Sequence, residues 1–327
     1  LSSQRDWSEM PELAVRFART AAWPLLGLLL AACSARSPAP APVPNGSAEP
    51  QVFFDDFSYP DTAAFERNGW IARSGTGHPG VPGATWSPAG VSFQDDPAQP
   101  GNRVLRMTSE TDGTGAGARQ VQICYQRKYL EGTYAARVHF RDSAVSGPDG
   151  DQLVQSFYTI SPRRSPENPD YSELDFEYLP NGGWGASTPS MFMTSWNTHE
   201  VEPGTARNAS GRTRGSLEGW HTLLIQVANG EVDYLIDGEP YAHHGGQEYP
   251  IVPMSINFNQ WFIEDGVLDS REPRRYGEEI DWVFHQANAV LSTREVEQRV
   301  ADFRQRKVPF VDSVPPHSPP LPSPCDI

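Results

Sequence analysis

Only three cysteines occur in 327 residues, and no Cys or His pair has the spacing of a metal-binding motif. His243 and His244 are adjacent, so on a strand they face opposite sides and make a poor chelate. Positive charge is scarce. The chain has 26 Lys and Arg against 41 Asp and Glu, a formal net charge of −15. That balance argues against nucleic acid and anionic lipid headgroups as partners, and it fits a neutral ligand. No internal repeat is present, which removes repeat architectures from consideration. The apolar run at 21–32 is too short for a comfortable membrane span. What the chain has in quantity is proline (31), glycine (28) and tryptophan (9). These supply turns and aromatic surface, common in all-β proteins that bind sugars and in others that do not.

Arg16 and Arg19 precede the apolar run AAWPLLGLLLAA at 21–32, which is signal-peptide grammar. The run ends in Leu30-Ala31-Ala32-Cys33, which resembles a bacterial lipobox. The resemblance implies cleavage before Cys33 and lipidation of its thiol, so an exported chain, anchored at the bacterial cell envelope or extracellular; an ordinary secretory signal with an incidental Cys is the alternative. Residues 33–50 are rich in Pro, Ala and Ser, a composition that stays extended and builds no core. The expected organisation is therefore a signal segment (1–32), a tether (33–50), one folded domain (51–290), then a helix and a flexible Pro-rich tail (291–327). Export permits a disulfide between Cys124 and Cys325. Their sequence separation says nothing about distance, so a bridge and two free thiols both stay open.

From 52 to 286 the pattern is short strands and turns. RQVQICYQ (119–126), GTYAARVHF (132–140) and DQLVQSFYTI (151–160) read as strands. Asn229-Gly230 joins WHTLLIQVA to EVDYLID, a strong hairpin signal, and Asp237-Gly238 marks the next turn. In MSINFNQWF (254–262), Met254, Ile256 and Phe258 share one face, and Asn257, Asn259 and Trp261 share the other. The predicted class is all-β: a curved antiparallel β-sandwich or jelly roll in one domain. One helix is predicted near the end, where Ser292 and Glu295 form a capping box and Val296, Val300 and Phe303 fall on one face.

The segment YSELDFEYLP (171–180) carries the chemistry. With period two, Glu173, Asp175 and Glu177 stand on one face of a strand, and Leu174, Phe176 and Tyr178 on the other. Like charges this close resist full ionisation, so at least one pKa is expected to rise. Acid hydrolysis of an acetal needs one protonated carboxyl and one ionised carboxylate, and this row offers both. Cα atoms four apart on a strand lie roughly 13 Å apart, so the pair can work together only on a bent sheet. By itself the row also fits a solvated strand face or a calcium site.

Its surroundings narrow the choice. Glu173-Leu174-Asp175-Phe176-Glu177 resembles the catalytic strand of glycoside hydrolase family 16. VFFDDFS (52–58), GTYAARV (132–138), QSFYT (155–159), GWHTLLIQVANGEVDYLIDG (219–238) and PMSINFNQW (253–261) resemble further strands of that family, in the same order. The resemblance implies a curved jelly roll with a long cleft and a retaining, endo-acting β-glucan hydrolase. Glu173 would be the nucleophile, Glu177 the general acid/base, and Asp175 would hydrogen-bond the nucleophile. Trp184, Trp196, Asn259 and Trp261 would line the cleft, where flat indoles stack on sugar C–H surfaces. No cofactor would be needed for catalysis. Asp281, in EEIDWVF, takes the position at which relatives often bind a structural calcium; a plain surface Asp is the alternative. The partner would be a polysaccharide, with the membrane touched only through the lipid anchor, and the chain would be a monomer. The same scaffold also serves transglycosylases and silent lectin-like domains. The sequence departs from the family's pattern at Ala135, Thr194 and Val227, which puts the exact glycan in doubt.

Overall fold

The computed structural model describes residues 49–97, 99–162, 170–198, 207–322 and 325. The expected signal segment, Cys33 and nearly all of the expected tether lie outside them. In chain order the strands are β1 (Val52–Asp55), β2 (Ile71–Ala72), β3 (Thr85–Trp86), β4 (Val91–Asp95), β5 (Arg103–Thr111), β6 (Arg119–Cys124), β7 (Gly132–Phe140), β8 (Leu153–Ile160) and β9 (Glu173–Leu179). They continue as β10 (Ser190–Thr198), β11 (Arg207–Arg214), β12 (Gly219–Ala228), β13 (Glu231–Ile236), β14 (Glu239–Gly245), β15 (Ser255–Phe262), β16 (Arg274–Ala287) and β17 (Phe310–Asp312). The helices are α1 (Thr62–Arg67) and α2 (Thr293–Gln305).

Two antiparallel layers result, curved and joined through β6. One layer runs β11-β10-β9-β8-β15-β6-β2. The other runs β14-β13-β12-β7-β16, and β16 then pairs with both β1 and β5. Alternation decides which side chains meet between the layers. Phe157, Leu174, Phe176, Met191, Met193, Ile256 and Phe258 from the first layer pack on Tyr134, Ala136, Val138, Leu223, Ile225 and Val283 from the second. Burying each large apolar side chain contributes about 1.5–3 kcal/mol, enough to hold strand register against a one-residue slip.

Both predicted turns form with left-handed residues, Asn229 and Gly230 at φ 56° and 84°, and Asp237 and Gly238 at φ 52° and 88°. Helix α2 forms with its capping box, and Val296 and Val300 are buried. It covers the outer face of the second layer through Phe54, Trp282 and Phe284. The six-residue α1 was not foreseen; Asp61 caps it by accepting from the Ala64 backbone N–H at 2.8 Å.

The described part of the C-terminal tail is held in place, contrary to expectation. β17 pairs with β1, Leu321 bridges to Arg127, and Lys128 Nζ donates to the Val314 carbonyl at 2.6 Å. Cys325 is bonded to Cys124 across 201 residues of sequence. Proline lowers the number of states such a tail must lose, so a few contacts are enough to order it.

Candidate active site

The carboxylate row lies on β9, with its side chains on the face of the first layer turned away from the core. Leu174, Phe176 and Tyr178 point inward and are fully buried, which turns Glu173, Asp175 and Glu177 outward. Each acid has fixed cross-strand neighbours. Glu173 lies between Trp196 of β10 and Ile160 of β8, Asp175 between Thr194 and Tyr158, and Glu177 between Phe192 and Ser156. No Lys or Arg stands among these partners. Instead the Tyr171 hydroxyl donates to Glu173 Oε2, and the Trp196 indole bonds to Asp175. Tyr158, Ile160, Tyr171 and Trp196 pack together beside the row.

Acids with no cationic cross-strand partner respond predictably to burial. Asp175 is 3% exposed; Glu173 and Glu177 are half-buried. Burial raises the Glu173 pKa to about 7, opposed by hydrogen bonds from Tyr171 and Asp175. Burial and then the Glu173 charge raise Glu177 to about 8. Asp175 is pushed well up by burial and by the charges on both glutamates. The row thus holds protons at pH values where isolated carboxylates have none, and the member that ionises most readily is Glu173.

Aromatic surface flanks the Glu177 end. Trp184 lies 5.9 Å from Trp261 and 5.5 Å from Phe192, ring centre to ring centre, and is 44% exposed. The turn after β9 sets this position. Gly183 has φ 133°, and a Cβ there would come within 2.6 Å of Ile263 Cδ1, so only glycine lets the loop fold back and present Trp184. Asn259 is less available. Ser156 Oγ donates to its Oδ1 at 2.7 Å, and its side chain is 6% exposed. At the far edge, the outward face of β6 is covered by chain. Gln120 donates to the Pro79 carbonyl, Gln122 accepts from Arg73, and Cys124 carries the disulfide. Any groove over this layer therefore stops short of β6.

The site places Glu173, Asp175, Glu177 and Trp196 together, with Trp184 and Trp261 at one end. Sequence reading missed Tyr171, Tyr158 and Phe192. Tyr171 stands two residues before Glu173, and Phe192 two before Thr194, so the same period-two rule would have found both. Asp281 lies far from this row in the topology, on β16 of the other layer, and is bonded to Asn102 and Arg304. A separate hollow of about 450 Å³ lies between β4, β5 and β16. No acid or aromatic residue lines it, so it offers nothing to the chemistry of the row.

No family model matches the chain, and no curated protein matches it. Solved structures do. One is the Bacteroides ovatus mixed linkage glucan GH16 protein in complex with a G4G4G3G product, with TM-score 0.53 and 16% identity over 71% of this chain and 98% of that one. Another is a lichenase from a mouse hindgut metagenome, with TM-score 0.51 and 20% identity over 72% and 98%. The Bacillus licheniformis β-glucanase has TM-score 0.50 and 16% identity over 72% and 97%. The chain has the glycoside hydrolase family 16 jelly-roll fold. Identity this low carries the fold and no more; what the site of this jelly roll does must be argued from its own residues.

Proposed function

We propose that this chain is a retaining, endo-acting hydrolase of β-linked glucans, with Glu173 as nucleophile, Glu177 as general acid/base and Asp175 positioning Glu173. The observation that carries this reading is the row of three half-buried or buried carboxylates with no Lys or Arg among its cross-strand partners. Burial and mutual repulsion keep one group protonated while another ionises, the division of labour that acetal cleavage needs. The Glu173 carboxylate attacks the anomeric carbon. The glycosidic C–O bond breaks as Glu177 gives its proton to the departing oxygen. Glu177, now ionised, then takes a proton from water. That water displaces Glu173 from the glycosyl ester, and the sugar leaves with its original configuration. The Trp184–Trp261–Phe192 surface suits the apolar faces of sugar rings at the leaving-group end.

A reducing-sugar assay on mixed-linkage glucan, laminarin, xyloglucan and agarose tests the reading, with Glu173→Gln as control. Release of β-configured ends, followed by NMR at early times, is the expected result. Inverted ends would remove the covalent route, and binding without turnover would leave a lectin-like domain. Product sizes separate hydrolysis from transfer to a second sugar. We also propose that the chain is exported and lipid-anchored through Cys33. Mass spectrometry of the mature N-terminus tests this; an unmodified Cys33 would overturn it.

A further inference from the structure

A second group of buried acids lies on the outer face of the other layer, and a cation already sits among them. β16 carries a bulge between Ile280 and Trp282, and Asp281 is its extra residue. The Asp281 side chain is 5% exposed. Its Oδ1 accepts from Asn102 Nδ2 at 2.7 Å and from Arg304 Nη2 at 2.7 Å. Oδ2 accepts from Arg304 Nη1 at 3.3 Å, and Arg137 Nε lies 3.6 Å from the same oxygen. Arg304 Nη2 also donates to the Asp281 backbone carbonyl at 3.3 Å. Asp96, 9% exposed, accepts from Asn102 at 3.4 Å, and Asp56, 7% exposed, feels both Arg304 and Asp281.

Asp281 is where the resemblance puts a structural calcium, and the residues present do not fit one. Calcium takes roughly six to eight oxygen ligands at about 2.3–2.6 Å. Here both carboxylate oxygens of the leading ligand are already bonded by a guanidinium. Two permanently charged arginines would stand within a few ångströms of the ion. Among the described residues, no group of three or more His, Cys, Asp or Glu is arranged to hold a metal.

We propose that the Arg304 guanidinium is the resident cation of this site, and that the domain is in consequence indifferent to calcium. The guanidinium is delivered by α2, which is fixed on either side. Phe303, one residue earlier, stacks on Phe54 at 4.9 Å, and the capping box fixes the other end of the helix. A planar fork of donors meets Asp281 side chain and carbonyl together, as a point charge on a flexible stem could not. The helix is thereby an integral part of the sandwich.

The test uses the whole chain. Thermal unfolding is followed with about 5 mM EDTA or about 5 mM calcium chloride, for the native protein, Arg304→Met, Asp281→Asn and the double variant. The native Tm is expected to agree within about 1 °C in the two buffers. Each single variant is expected to lose several degrees, and the double variant clearly less than the sum, because both remove the same interaction. A native Tm that moves by more than about 3 °C between EDTA and calcium would overturn the proposal. So would single-variant losses that simply add. If a single variant fails to fold, the native measurement still decides.

Discussion

Two clusters of buried carboxylates in this molecule differ in whether a guanidinium meets them. On β16, Asp281 is met by Arg304 and Arg137. On β9, Glu173, Asp175 and Glu177 are met by tyrosine, tryptophan, threonine, phenylalanine and each other. The guanidinium of Arg304 ties α2 to β16 through the Asp281 side chain and carbonyl. A buried acid without a guanidinium keeps its proton to unusually high pH, as Asp55 and Glu278 of the other layer also do, so it is the alignment of three such acids on one outward face that sets the β9 row apart.

The sharpest way to break this contrast is to remove the nucleophile. Glu173→Gln is expected to lower kcat/KM on the best glucan by about three decades or more, since the covalent route runs through that oxygen. Asp175→Asn is expected to cost about a hundredfold, because it leaves the attacking group in place and disturbs only its proton. Tyr171→Phe is expected to cost about tenfold and to raise the lower limb of the pH profile, since the lost hydrogen bond favoured the Glu173 anion. For the native chain, kcat/KM is expected to be bell-shaped. It falls below about 7 as Glu173 takes up a proton and above about 8 as Glu177 loses one. A profile centred near pH 5 would mean that the row is wetter than its neighbours imply.

The smallest effect is on stability, and its sign is informative. In the folded chain Glu177 keeps its proton to about pH 8; its ordinary pKa is 4.5. Between those values the folded state binds the proton and the unfolded state releases it, so stability falls as pH rises through that window. Glu177→Gln removes the penalty. Its Tm is expected to match the native value near pH 4 and to exceed it by a few degrees near pH 9, by differential scanning calorimetry. An acid held ionised by arginine would behave the opposite way, with its neutral variant less stable at high pH.

Much of this was legible before any coordinates. β7 spans GTYAARVHF as read, and the Asn229-Gly230 and Asp237-Gly238 turns form where the dipeptides stand. The face of Glu173, Asp175 and Glu177 followed from the two-residue period and three apolar neighbours. β11 was not legible: RNASGRTR has no apolar face, and it is a strand because β10 offers it a hydrogen-bonding edge. Tyr171, Tyr158 and Phe192 were overlooked although their spacing was readable, because an aromatic residue on a strand is more often core than site.

What the sequence determined by itself is local: which residues alternate, which turns reverse the chain, and which carboxylates share a face. Those follow from backbone geometry over a few residues. Only the tertiary structure decided which acids meet a counter-charge. Arg304 is 23 residues from Asp281, Cys325 is 201 from Cys124, and no arginine arrives beside Glu173 or Glu177 among their cross-strand partners. Coulomb energies depend on distance through space and on the water removed between charges, and neither quantity is written in the order of residues.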